Sequence, residues 1–287
     1  MATAQAALTE QIREQPVSGR RQSRRVDVSL LAGVVIALGA TIAGICSTGV
    51  SFVYFLQPTG ALIVLGGTLG VILVTTPRHS LVHSLRRVID LLSAREIDRE
   101  ALVREILDYA RAARRTGVLS LEPLIAKATD GFLRKGLQLV VDLTSRSELQ
   151  SILETDLRMA ERHGEADAKA LEVAGGFAPT IGIIGTVVGL IDVLRQFSKL
   201  QSVGYGIGTA FVSTIYGLVL ANLVLLPAAH RIRARVAENF ETQEMILEGV
   251  LSIVDSVHPS LIRMRLDSFV RRTNFKAEAA RGDARGA

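Results

Sequence analysis

Cysteine is almost missing from this chain: Cys46 stands alone, which excludes an internal disulfide and any metal site built from several thiolates. Tryptophan is absent, and the five histidines do not gather. His79 and His83 share a helix face at i,i+4, but no carboxylate lies between or immediately beside them, so solvated imidazoles are expected there. No Walker-type phosphate loop, nucleophile elbow or HExxH pair occurs. Gly182-Ile-Ile-Gly185 lies inside an apolar helical stretch, where it cannot cradle phosphate. No enzyme, no metal and no cofactor is expected.

Charge is missing in a patterned way. Charged residues make up 21% of the chain, yet four runs contain none: Val28–Thr48, Phe55–Thr76, Val173–Ile191 and Gly206–Ala229. A helix rises about 1.5 Å per residue and a bilayer core is about 30 Å thick, so runs of about 20 apolar residues are the length that spans it. With a mean hydropathy of +0.34, the composition fits a membrane protein with a large aqueous part. The opening segment is polar and lacks the pattern of a cleaved signal, so Val28–Thr48 reads as a retained anchor.

Lys and Arg are distributed unevenly around these runs. Arg13, Arg20, Arg21, Arg24 and Arg25 precede the first, and none lies in the turn Gly49–Tyr54. The stretch Pro77–Glu172 holds 16 and the segment after Ala229 holds 10, against only Arg195 and Lys199 between the third and fourth runs. Because positive loops stay in the cytoplasm, both termini and the long middle stretch are expected inside. The net charge of +5 then reflects topology and attraction to membrane lipid rather than nucleic acid, since the basic residues are scattered among 28 acids.

The middle stretch has helical periodicity at Leu85, Val88, Ile89 and Leu92, and again at Leu102, Ile106 and Ala110. Ser147-Glu-Leu-Gln150 has the form of a capping box, opening a helix that can run on into the third apolar run. The fourth can continue towards Asp255, with His258-Pro259 as its stop. The expected fold is an all-α membrane protein with four transmembrane helices and a helical cytoplasmic body built on extensions of the third and fourth. Its parts are a basic cytoplasmic segment 1–27, a transmembrane hairpin 28–76, a cytoplasmic helical region 77–172, a second hairpin 173–229, and a cytoplasmic carboxyl-terminal helix and tail 230–287.

Small and polar residues line the spans. Gly175, Pro179, Gly182, Thr186 and Gly189 fall on one stripe of the third, and Ala210, Thr214, Gly217 and Ala221 on one stripe of the fourth. Gly33, Ala37, Ala40, Gly44 and Ser47 do the same in the first, where close helix packing is the expected role. Pro179 frees the carbonyl of Gly175, and Pro227 that of Leu223, and Thr186 adds a hydroxyl two turns beyond Pro179. The stripe suits water or a small cation; alternatively Thr186 and Thr214 bond back to their own helices. No carboxylate lies within any span, with Asp27 and Asp192 only at the edges. A chain that carries protons needs a titratable group at membrane depth, so a partner has to supply the acid.

Three segments carry a family resemblance. Leu56-Gln57-Pro58-Thr59-Gly60-Ala61-Leu62-Ile63-Val64-Leu65-Gly66-Gly67-Thr68, Ala178-Pro179-Thr180-Ile181-Gly182-Ile183-Ile184-Gly185-Thr186-Val187-Val188-Gly189-Leu190 and Ser213-Thr214-Ile215-Tyr216-Gly217-Leu218-Val219-Leu220-Ala221-Asn222 resemble the MotA/PomA stator subunits of the flagellar motor. Glu248-Gly249-Val250-Leu251 with Asp255 and His258-Pro259 is similar to that family's last helix. The resemblance implies a homo-oligomeric ring, a pentamer, around two MotB-like B subunits whose single helices each supply an ion-binding Asp. It also implies ion flow, of protons or sodium, that turns the ring against the rotor protein FliG. The family's functional prolines match Pro179 and Pro227, and its channel-facing hydroxyls match Thr186 and Thr214. Ser213 stands where sodium-type members have threonine, and the rotor-contacting Arg and Glu match Arg114 and Glu122. The other reading is a TolQ/ExbB-type energiser of outer-membrane processes; those usually have three spans, and the strong first hairpin argues against it.

Overall fold

The computed structural model describes residues 28–47, 49, 52–77, 83–84, 87–88, 98–142, 144–195 and 200–283. The basic segment 1–27, His79, and the repeat positions Leu85, Ile89 and Leu92 lie outside these. Among the described residues every regular element is helical: α1 (Val28–Ser47), α2 (Pro58–Thr75), α3 (Arg99–Thr116), α4 (Gly131–Val141), α5 (Arg146–Arg195), α6 (Leu200–Val219), α7 (Leu226–Val254) and α8 (Pro259–Asp283). A π-helical stretch, Leu220–Leu225, joins α6 to α7.

The ends of these helices follow from local chemistry. Pro58 sits in the first turn of α2, where no N–H is needed. The Asp98 carboxylate accepts from Ala101 N at 3.0 Å to open α3, and Asp130 accepts from Phe132 N and Leu133 N at 2.8 and 3.0 Å to open α4. Gly117 ends α3 at φ +87°, a conformation costly for a residue with a Cβ. At α5 the box lies two residues earlier than its sequence form indicates. Ser145 Oγ, not Ser147, accepts from Glu148 N at 3.3 Å, because Ser145-Arg-Ser-Glu148 satisfies the same spacing.

Three helices are long and apolar enough to cross a membrane: Pro58–Thr75, Arg146–Arg195 and Val203–Val254. The described apolar part of α1, Val35–Ser47, is shorter. Large apolar side chains on these helices point outward, among them Leu62, Leu73, Val74, Leu194 and Phe211. Such a surface suits lipid or neighbouring helices rather than water.

The remaining helices pack a second, aqueous body around the projecting ends of α5 and α7. Its core draws Leu102, Val103 and Ile106 from α3, Leu133 and Leu137 from α4, Leu149 and Leu153 from α5, Met245, Ile246 and Val250 from α7, and Ile262 and Leu266 from α8. Arg99 fastens its near end. Its buried guanidinium donates to Thr242 Oγ1 at 3.1 Å, Glu241 Oε2 at 3.3 Å, Glu238 O at 3.0 Å and Phe269 O at 3.4 Å. Further along, Ile106 packs on Gly249. α3 therefore runs beside α7 away from the membrane, which carries the turn after Thr116 to the far tip of the body.

Candidate functional site

The small residues of α5 and α6 meet each other within one chain. A Cβ on Gly182 would lie 3.0 Å from Ser213 O, one on Gly189 2.7 Å from Ala210 N, and one on Gly217 2.5 Å from Ala178 O. These are backbone atoms that no side-chain movement relieves, so glycine is required for the helices to approach this closely. Gly175, one end of the sequence stripe, turns instead to Leu226 of α7.

Two threonines sit inside this tight seam. Thr186 Oγ1 lies 2.5 Å from Thr214 Oγ1, 3.0 Å from Ala210 O across the seam and 3.2 Å from Gly182 O on its own helix. A hydroxyl has one proton and two lone pairs, so Thr186 can serve only one of these acceptors at a time. Bonding back to the helix and bonding across the seam are thus both within reach, one at a time. The result is a half-buried pair of hydroxyls whose lone pairs can face water or a cation.

Ser213 stands apart from that pair. It is 0% exposed, donates to Thr209 O at 2.7 Å, and packs between Gly60 of α2 and Gly185 of α5. Consecutive residues on a helix point about 100° apart, which separates it from Thr214. Pro179 is half-buried inside α5, its backbone against Gly217. Pro227 falls in the first turn of α7, directly after the π stretch, in which Leu226 N–H donates to Ala221 O. The hydrogen-bond register thus changes back to α where proline brings no N–H.

Sequence reasoning missed a polar strap beside the seam. Thr209 Oγ1 donates to Gln57 Oε1 at 3.1 Å, Gln57 N donates to Tyr216 Oη at 3.3 Å, and Tyr216 Oη donates to Phe55 O. Gln57 is buried, and the strap ties the turn before α2 to α6. The one signal for it was polar Gln57 directly before Pro58. On α2, the Thr68 hydroxyl is buried without a partner among the described residues.

Arg114 and Glu122 flank the tip of the aqueous body. Both are exposed, and among the described residues neither forms an ion pair. Arg114 lies in the last turn of α3, and Glu122 opens a short helix, Glu122–Ile125, beyond the Gly117 turn.

Known proteins share this architecture. The MotA/TolQ/ExbB proton channel family matches residues 125–245. Motility protein A of Bacillus subtilis is 29% identical over 90% of this chain and 96% of its own length. Chemotaxis protein PomA of Vibrio alginolyticus is 27% identical over 85% of this chain and 96% of its own. Among solved structures, the flagellar MotAB stator complex of B. subtilis gives a TM-score of 0.75 at 29% identity, covering 82% of this chain and 93% of that one. The C. jejuni MotAB structure gives 0.80 at 23% identity, covering 85% and 95%, a likeness of fold. This chain, with three helices long and apolar enough to cross a membrane, is thus similar to the MotA/TolQ/ExbB proton channel family over residues 125–245 and to the motility proteins MotA and PomA over most of its length.

Proposed function

We propose that this chain is the channel-forming stator subunit of a flagellar motor, coupling ion flow to torque. The observation that carries the reading is the Thr186–Thr214 pair, hydroxyls held between two apolar helices with no carboxylate in either apolar run. Such a seam can pass a cation but cannot bind a proton by itself. A MotB-like B subunit supplies the missing Asp, in keeping with the MotAB complexes that this chain resembles. The ion pathway is lined by Pro179, Thr186, Thr214 and Pro227, while Ser213, expected beside them, is enclosed between Gly60 and Gly185 and packs behind the pair; α1 is a fourth spanning helix.

In this reading both termini are cytoplasmic, and residues 28–76 and 173–229 form two hairpins in the inner membrane. The regions 1–27, 77–172 and 230–287 then lie in the cytoplasm. Five copies surround two B subunits, and Arg114 and Glu122 meet charges on the rotor protein FliG at the tip. The exposed apolar faces of α1 and α2 support contact with lipid and neighbouring copies. Reconstituting the chain with its B subunit in vesicles and imposing a proton or sodium gradient tests the function. Flux is expected with both subunits and not with either alone; a complex that forms but passes neither ion would reject it.

A further inference from the structure

The two long helices carry their pliable turns at one level. Pro179 frees the carbonyl of Gly175 in α5, and Gly175 packs on Leu225 and Leu226, where the π stretch gives way to α7. Prolines and π stretches are the features at which helices bend. On the side leading to the aqueous body, just outside the apolar run that begins at Val173, the helices are fastened again. Arg233, six residues past Pro227, forks across α5: Nε donates to Glu165 Oε2 and Nη2 to Glu172 Oε2, at 3.2 Å each. Glu165 and Glu172 are seven residues apart, about two helical turns, so both lie on one face. Lys169 donates to Glu172 at 3.1 Å but belongs to the same helix. Behind the ion pairs Ala168 packs with Ile232 and Val236, and Gly164 admits Val236 so closely that a Cβ there would clash with it. The segment after α2 closes the collar: Arg87 pairs with the buried Asp167 carboxylate at 2.6 Å, and Ser84 Oγ donates to Asp167 O at 3.1 Å.

We infer that Arg233 is a coupling residue, whose grip on Glu165 and Glu172 makes α5 and α7 move as a pair and passes movement around the ion to the aqueous body. The inference deepens the stator reading and rests on it. Two pliable turns side by side, without a tie, give each helix its own swing, and part of any displacement is lost as sliding between them. A tie on the aqueous side of both turns stops the sliding and leaves the turns free. Arg233 is outside the Thr186–Thr214 seam and far from the tip, so its loss should separate torque from flux. A residue on the ion path would lower flux first, and a merely stabilising contact would lower the amount of complex, its flux and its torque together.

The test uses the full chain with its B subunit and compares ion flux in vesicles with stall torque per stator unit in tethered cells. Arg233→Gln is expected to keep wild-type membrane levels and flux while torque falls by roughly two- to fivefold. Lys169→Gln removes a pair that does not reach α7 and should leave both quantities unchanged. Arg233→Glu should be worse than Arg233→Gln, and adding Glu165→Lys and Glu172→Lys should recover part of the torque. Wild-type torque in Arg233→Gln, flux falling as far as torque, or no recovery on exchanging the charges would each overturn the coupling role and leave the stator reading standing. A wild-type complex that passes no ion would remove both.

Discussion

Thr186 and Ser213 carry similar hydroxyls and meet different fates. Ser213 is enclosed by Gly60 and Gly185 and satisfied within its own helix, whereas Thr186 shares a short contact with Thr214 across the seam. Thr186→Val keeps the shape and removes the hydroxyl. Losing it should cost only about 0.5–1.5 kcal/mol of stability, so the protein should still insert while ion flux falls sharply; Thr186→Ser should retain flux. Equal flux in both variants, at equal membrane levels, would argue against a role for this hydroxyl in conduction. The tip residues behave differently because they are exposed. Arg114→Ala should weaken swarming modestly, since an exposed ion pair is worth about 0.2–1 kcal/mol. Arg114→Glu should be worse, because repulsion replaces attraction, and a charge reversal on the rotor should recover part of the loss. Swarm diameter with stator recruitment followed by fluorescence checks both. At this scale the sequence disclosed which residues are polar in an apolar setting, but not which share a pocket. Adjacent Ser213 and Thr214 read as one group and lie on different faces of α6.

The elements were more legible than their joints. The four charge-free runs correspond to observed helices, and α7 ends at Val254, just before the expected stop at His258-Pro259, because run length and a missing amide group are local properties. The opening of α5 was misplaced by two residues since two overlapping segments satisfy one capping pattern. The π stretch Leu220–Leu225 left no sequence signal, because it depends on how α6 packs and not on composition. The α5–α6 seam yields a firm prediction. Gly189→Ala would drive a methyl group to 2.7 Å from Ala210 N and 2.8 Å from Gly206 O, so the two helices must separate. The expected loss is about 1–3 kcal/mol, seen as a lower unfolding temperature in detergent. Gly176→Ala, facing open space, should have little effect. Pro179→Ala restores an amide hydrogen to the middle of α5 and should straighten it. Impaired torque with normal insertion is expected, and wild-type swimming would count against a mechanical part for this proline.

Across the whole molecule, long-range pairs set the assembly, and these were the least legible. Arg99 and Glu241 are 142 residues apart in sequence, and no local pattern joins them. Arg99→Leu removes the buried guanidinium that bonds Thr242, Glu241, Glu238 and Phe269 together and should destabilise the aqueous body by about 3 kcal/mol. Limited proteolysis should then cleave α8 faster while the membrane helices stay protected. Topology belongs to this scale as well. Reporter fusions at Arg20, Ser120 and Ala280 should all report the cytoplasm, and an outside signal at Ser120 would overturn the orientation.

The continuous helix from Val203 to Val254 has a mechanical corollary. Its distal part, α7, has 29 residues, a rod of about 43 Å at about 1.5 Å per residue. The π stretch and Pro227 stand at the root of that rod, and these are the features at which helices bend. A swing of about 5° there would sweep the far end through about 4 Å, close to the width of a side chain. The chain is thus built as a lever with a short arm of apolar helix and a long arm in the aqueous body. Small rearrangements around a passing ion are geared up before they reach the tip, at the expense of force.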